Sequence, residues 1–184
     1  MTNKSPRALR SARRLTGKGN NGRQSQLKLS ITQEQEVLVV CVLEARGIVE
    51  DCQRSCDSYV KIGMFPDSDP SDRQKSRMVP ECRNPIFLQT FYFVVSEGDL
   101  HKRLLFTMWN SDSTSRISAL LGCMSFGVRS LMDPGKEFQG WYFLLGEELG
   151  RKKHLKVPTQ HNNPTALSLH QSEGLEVGRL EARD

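Results

Sequence analysis

The side chains best placed to do chemistry in this sequence are cations. Arg73, Lys75 and Arg77 stand two residues apart, and on a strand residues i and i+2 share a face. Tyr59 and Lys61 repeat that spacing on a second β-forming run. Two such rows lying side by side would hold a phosphate-like anion by charge-assisted hydrogen bonds. The alternative for the same pattern is a solvated strand face whose charges discourage edge-to-edge association. Asp67, Asp69 and Asp72 precede the basic row and lower its positive field.

Nothing comparable points to the making or breaking of bonds. His101, His154, His161 and His170 are scattered, and no Gly-x-Ser-x-Gly elbow or Gly-rich phosphate loop is found. Glu147 and Glu148 are adjacent, so on a helix or strand they face apart and do not form an acid/base pair. Cys52 and Cys56 lie four apart, but no His or second Cys pair stands at zinc-ligand spacing. An odd count of five cysteines and the lack of a secretory apolar segment predict reduced thiols and a cytoplasmic setting. The longest apolar runs, such as Val37 to Leu43, are far too short to span a bilayer. The expectation is a protein with neither enzymatic activity nor a required cofactor.

The elements that must position the cations read as short strands. Leu27, Leu29 and Ile31 alternate with polar residues, as a half-buried strand requires. Val37 to Leu43 is a β-branched apolar run suited to a central strand. Ser58–Met64, Arg73–Val79, Phe91–Val95, Leu104–Trp109, Leu120–Val128 and Trp141–Leu145 complete a set of eight. Turn-rich segments separate them, among them Arg46–Gly47, Asn84–Pro85, Glu97–Gly98 and Asp133–Gly135. Ser130 to Met132 adds one helical turn. The pattern predicts an all-β, eight-stranded antiparallel sandwich over residues 25–157.

Charge divides the chain differently. Residues 1–23 hold seven bases and no acid, leaving 19 of the 26 bases against all 21 acids in the remainder. The basic balance therefore belongs to a tail, and a nucleic-acid partner is not expected. Residues 1–24 read as a disordered tail; a basic surface helix from Arg7 to Leu15 and a mitochondrial presequence are alternatives for it. Residues 158–184 read as a second disordered tail, after a basic block of Arg151, Lys152, Lys153, His154 and Lys156.

Several motifs fall in one order: Asp57-Ser58-Tyr59-Val60-Lys61, Lys75-Ser76-Arg77, Asn84-Pro85-Ile86-Phe87, Phe91-Tyr92-Phe93, Trp109-Asn110-Ser111-Asp112, Leu121-Gly122 and Gly140-Trp141-Tyr142-Phe143-Leu144. The ordered set resembles a C2 domain covering Gln24 to Pro158. The runs from Gly122 to Val128 and from Leu144 to Gly150 narrow the resemblance to the C2 segment of a long isoform among the regulators of G-protein signalling. The conventional protein kinase C regulatory C2 domain is a more distant relative. Neither the helical G-protein-binding domain nor the PDZ domain of the regulators is found in this sequence, so no GTPase-accelerating activity is carried over.

The resemblance implies two sites. Calcium-binding members place five aspartates on the loops at one end of the sandwich, and the matching positions here are Asp51, Asp57, Asn110, Asp112 and Ser118. Calcium takes roughly six to eight oxygen ligands, with affinity set by charge count. Only Asp51, Asp57 and Asp112 keep a carboxylate, so the expectation is a degraded site that binds calcium weakly or not at all. The second implied site is a basic face for phosphoinositide headgroups, made of Tyr59, Lys61, Lys75, Arg77 and Trp109, with Arg73 beside them. Ile117 departs from that pattern where relatives have a polar contact. The expected function is a non-catalytic module, calcium-independent or weakly calcium-dependent and monomeric, that binds anionic membrane lipids and associates peripherally with membranes in intracellular signalling. The alternative is a protein-interaction module or adaptor linked to the regulation of G-protein signalling.

Overall fold

Alternating side chains give the first two strands one dry face each. Leu27, Leu29 and Ile31 on β1 (Gln26–Glu34), and Leu38, Val40 and Val42 on β2 (Val37–Arg46), are buried. The two strands pair as an antiparallel hairpin, and Gln35 takes a φ of 57° in its turn. The computed structural model of the chain describes residues 24–48, 57–66, 73–80, 83–111 and 118–159. The remaining strands are β3 (Asp57–Phe65), β4 (Gln74–Lys75), β5 (Ile86–Val94), β6 (Arg103–Ser111), β7 (Ser118–Gly127) and β8 (Phe138–Phe143). Two short helices, α1 (Val128–Leu131) and α2 (Glu147–Gly150), follow β7 and β8.

The strands form two four-stranded antiparallel sheets, ordered β5-β2-β1-β8 and β4-β3-β6-β7. Their inner faces share one core, to which Leu29, Val40, Phe87, Ile62, Phe106, Met124 and Tyr142 contribute. Each fully buried side chain of this size stabilises the fold by about 1.5–3 kcal/mol. Phe126 is the aromatic hub. Its ring meets Phe106, Phe138 and Tyr142 edge-on at centroid distances of 5.7, 5.7 and 5.1 Å, and stacks on His154 at 4.1 Å. The expected eight-stranded sandwich is the observed architecture.

Several boundaries shift by a few residues, as in β8, expected from Trp141 and observed from Phe138, and three departures from expectation have a clear local reason. The strand expected over Arg73–Val79 is a continuous ladder only at Gln74 and Lys75, although the Ser76 N–H still donates to the Val60 carbonyl at 2.8 Å and Val79 rejoins β3 as an isolated antiparallel bridge to Ser58. Beyond them the Ser76 hydroxyl accepts the Val60 N–H at 2.9 Å, so a side chain takes the rung that a carbonyl would fill. β5 begins at Ile86, five residues before the expected start, and bends at a bulge where Leu88 has a φ of 49°. α2 has no signal in the sequence, because four residues are too few to show a helical period. The tails expected at 1–24 and 158–184 lie almost wholly outside the described residues, although Gln24 is tied down, its Nε2 donating to the Leu144 carbonyl at 3.2 Å.

Candidate anion-binding groove

β3 and β6 build the groove because each turns one row of side chains into the core and the other outward. Val60, Ile62 and Met64 enter the core from β3, and Leu104, Phe106 and Met108 from β6. The outer rows are then Tyr59, Lys61, Gly63 and Phe65 on one strand and Arg103, Leu105, Thr107 and Trp109 on the other. Register sets Tyr59 opposite Trp109, Lys61 opposite Thr107 and Gly63 opposite Leu105. On the other side of β3, Lys61 pairs with Lys75.

Aromatic rings hold the ammonium groups. Lys75 Nζ lies 3.9 Å from the Tyr59 ring centroid, and Lys61 Nζ lies 5.1 Å from that of Trp109 and 5.7 Å from that of Tyr59. Such contacts are worth about 0.5–2 kcal/mol each, more as water is excluded. Trp109 is oriented in turn by its Nε1–H, which donates to Thr107 Oγ1 at 2.9 Å. The Tyr59 hydroxyl donates to Ser118 Oγ at 3.2 Å. Tyr59 is buried beneath Lys75, so its part is to position cations and not to offer a bare ring. The half-buried Trp109 keeps open surface.

Below this cluster the outer face sinks into a cavity of about 110 Å³ lined by Lys61, Gly63, Phe65, Arg73, Leu105 and Trp109, among others. Gly63 makes the depression possible: a Cβ there would stand 3.0 Å from Arg73 Cγ, where that side chain crosses the strand. Four of the expected cation and aromatic residues, Tyr59, Lys61, Lys75 and Trp109, thus form one connected cluster, and Arg73 joins Lys61 and Trp109 on the cavity wall. Arg77 does not share their strand, because β4 stops at Lys75; the Arg77 N–H donates instead to Gln89 Oε1 of β5 at 2.6 Å.

The loop end of the same sheet carries the implied calcium positions. Asp57 opens β3 and is paired with Ser111, which is itself paired with Ser118. Asp51 and Asp112 lie outside the described residues, as do Cys52, Cys56 and Ile117. Among the described residues the donors are one carboxylate, the Asn110 amide and a Ser118 hydroxyl that already accepts from Tyr59. These do not by themselves supply a calcium shell. No three His, Cys, Asp or Glu side chains come together as a metal site among the described residues.

With this geometry in view, the comparison with known proteins is decisive. A family model described as the C2 domain matches residues 36–144, more than half of the sequence. The chain belongs to the C2 domain family. It is 31% identical over 122 residues to the protein kinase C eye isozyme of Drosophila melanogaster, a match covering 66% of this chain and 17% of that protein. It is 26% identical over 106 residues to the regulator of G-protein signaling rgs-7 of Caenorhabditis elegans, covering 46% of this chain and 13% of the relative. Among solved structures, the third C2 domain of KIAA1228 protein superposes with a TM-score of 0.61 at 27% identity, over 71% of this chain and 95% of that domain. The chain spans only 14% to 21% of the length of the first three curated relatives. Among the described residues no helix is long and apolar enough to cross a membrane.

Proposed function

We propose that this chain is a non-catalytic C2 module that docks peripherally on membranes bearing anionic phospholipids, phosphoinositides above all, with little or no need for calcium. The observation that carries the reading is the cluster of Lys61 and Lys75 on the rings of Tyr59 and Trp109, open to solvent above a cavity that Arg73 also lines. Aromatic faces hold the amines in place before a ligand arrives, so less side-chain entropy is lost on binding. Each cation near an anionic leaflet adds about 1 kcal/mol. Sedimentation of the full chain with vesicles tests this. Binding to phosphatidylcholine vesicles doped with phosphatidylinositol bisphosphate, unchanged by a calcium chelator and weakened by salt, is the expected result. Lys75→Ala should weaken it roughly fivefold. Equal failure on neutral and anionic vesicles refutes the reading.

A second reading, a protein-interaction module, is favoured by the opposite sheet. The outer face of β5 exposes Ile86, Leu88, Tyr92 and Val94, with Tyr92 62% and Val94 75% accessible. Val37 and Val39 of β2 pair with Val94 and Tyr92, extending the apolar surface sideways. A patch of this kind marks contact sites, and the relative among regulators of G-protein signaling is in keeping with an adaptor role. Protein that ignores every vesicle favours this reading over the first.

A further inference from the structure

The basic groove continues past the segment that matches the family. The wall of the cavity opposite Arg73 is Arg151, which follows α2 and lies beyond residue 144, where the match ends. Its backbone is pinned on both sides to the outer edge of β7. Leu145 exchanges two hydrogen bonds with Cys123, at 2.9 and 2.8 Å, and the Lys153 carbonyl accepts from the Ser125 N–H at 3.2 Å. Between these anchors α2 lies flat on the strand: a Cβ on Gly150 would fall 2.3 Å from the Cys123 carbonyl oxygen. The Arg151 guanidinium reaches the Phe65 ring on β3. Its carbon lies 5.0 Å from the Phe65 ring centroid, and its Nη2 donates to Glu147 Oε1 at 2.9 Å.

We infer that Lys61, Arg73 and Arg151 form a second anion subsite, over the floor of Gly63 and Leu105, which takes a separate phosphate of a multiply phosphorylated headgroup. The inference rests on the membrane reading above and adds to it a residue and a ligand preference. Arg151 carries five donors in a rigid fork and its pairing with Glu147 uses one nitrogen, so the fork keeps donors for a phosphate. The cavity, about 110 Å³, is well under the roughly 300 Å³ of a pocket that encloses a whole small-molecule ligand. It suits one phosphate group with the rest of the headgroup outside. Gly63 stands four positions beyond Tyr59 on β3, a distance of about 13 Å along the strand. A single phosphate cannot reach both the Lys75–Tyr59 end and the Arg151 end. Lys61, midway between them, is about 7 Å from each along the strand and would be shared by two phosphates. A headgroup with one phosphate fills one end only.

The test compares full-length variants on two kinds of phosphatidylcholine vesicle, one containing phosphatidylinositol bisphosphate and one containing phosphatidylserine at matched total charge. Soluble inositol trisphosphate serves as competitor, to separate a held headgroup from a charged surface. Arg151→Gln should weaken binding to bisphosphate vesicles about tenfold, the size of a lost charged hydrogen bond, and binding to serine vesicles by no more than the roughly fivefold that any one cation near an anionic leaflet contributes. The pair Lys152→Gln with Lys153→Gln, both exposed, should weaken both vesicle types alike, since exposed charges act through the general field. Glu147→Gln breaks the same ion pair but leaves the guanidinium in place, and should bind bisphosphate vesicles at least as well as the wild type. Inositol trisphosphate should displace the wild-type protein. Arg151→Gln binding like wild type while Lys75→Ala is weakened would overturn the subsite and leave the membrane reading standing. Equal losses on both lipids, equal losses in Arg151→Gln and Glu147→Gln, or no competition by inositol trisphosphate would each overturn it as well. Wild-type protein that binds no vesicle removes the membrane reading itself.

Discussion

Gly150→Ala isolates the contact on which the far end of the groove depends. In an exposed helix this change favours folding by up to about 1 kcal/mol. Here the sign should reverse. The new methyl would stand 2.3 Å from the Cys123 carbonyl oxygen and 2.5 Å from its Sγ, whereas carbon and oxygen ordinarily meet at about 3.3 Å or more. Relief requires α2 to lift from β7 by about 1 Å, and the obstructing atom is backbone, which yields poorly. Lifting endangers the two Cys123–Leu145 hydrogen bonds, worth about 1 kcal/mol each, and part of the packing of Leu144 and Leu145. A net loss of about 2–3 kcal/mol follows, or roughly 10 °C in thermal midpoint for a domain of this size. Cys123 reports the movement independently. It is fully buried and its thiol is pushed up to about 11, chiefly by that burial, so wild-type protein should resist thiol reagents at this position. Peptide-resolved labelling should show Cys123 becoming reactive in Gly150→Ala. Gly146→Ala is the control: no heavy atom lies within 4 Å of its added methyl, and its effect should stay within about 0.5 kcal/mol. An unchanged or higher midpoint for Gly150→Ala, with Cys123 still protected, would refute the reasoning.

Other predictions follow from single groups. Burial first, and the nearby Arg103 charge as well, hold the His154 imidazole below its ordinary value, with only the hydrogen bond to the Ser125 carbonyl opposing. The unfolded chain then binds the extra proton more readily, so stability should fall as pH drops below about 6.5; denaturant midpoints measured across that range should lose this slope in His154→Gln. Lys102 and then Ser96 hydrogen-bond to the Asp99 carboxylate and lower it to about 2. A depressed carboxylate stabilises above its unfolded value and loses that contribution as pH falls through about 2. Discounted for solvent exposure, Asp99→Asn should cost no more than about 1 kcal/mol at neutral pH and nothing at strongly acidic pH; an equal cost at both refutes the ionic origin. The Ser58 hydroxyl oxygen is buried without a hydrogen-bond partner among the described residues. Removing it in Ser58→Ala should leave the urea midpoint unchanged or raise stability by up to about 1 kcal/mol; a loss of more than that would show that the oxygen has an unseen role.

What the amino-acid order decides unaided is whatever repeats within a few residues. The period-two alternation in Gln26–Glu34 and Val37–Arg46 specifies one wet and one dry face before any partner strand is known. The i, i+2 spacing of Tyr59 and Lys61 puts them on one face for the same reason, and the order of motifs from Asp57 to Leu144 reveals the family. Contacts between distant segments are another matter. No local signal shows that the Ser76 hydroxyl would take the Val60 amide and end β4 before Arg77. None shows that Lys75 would cap the Tyr59 ring, since the register of two strands sets that contact. Arg151 reads in the linear chain as the first member of a basic block; it becomes a wall of the groove because the backbone groups of Cys123 and Ser125 at the β7 edge find partners in Leu145 and Lys153. Buried backbone polar groups must be paired, and that requirement, met across the whole molecule, selects which remote cations end up facing one anion.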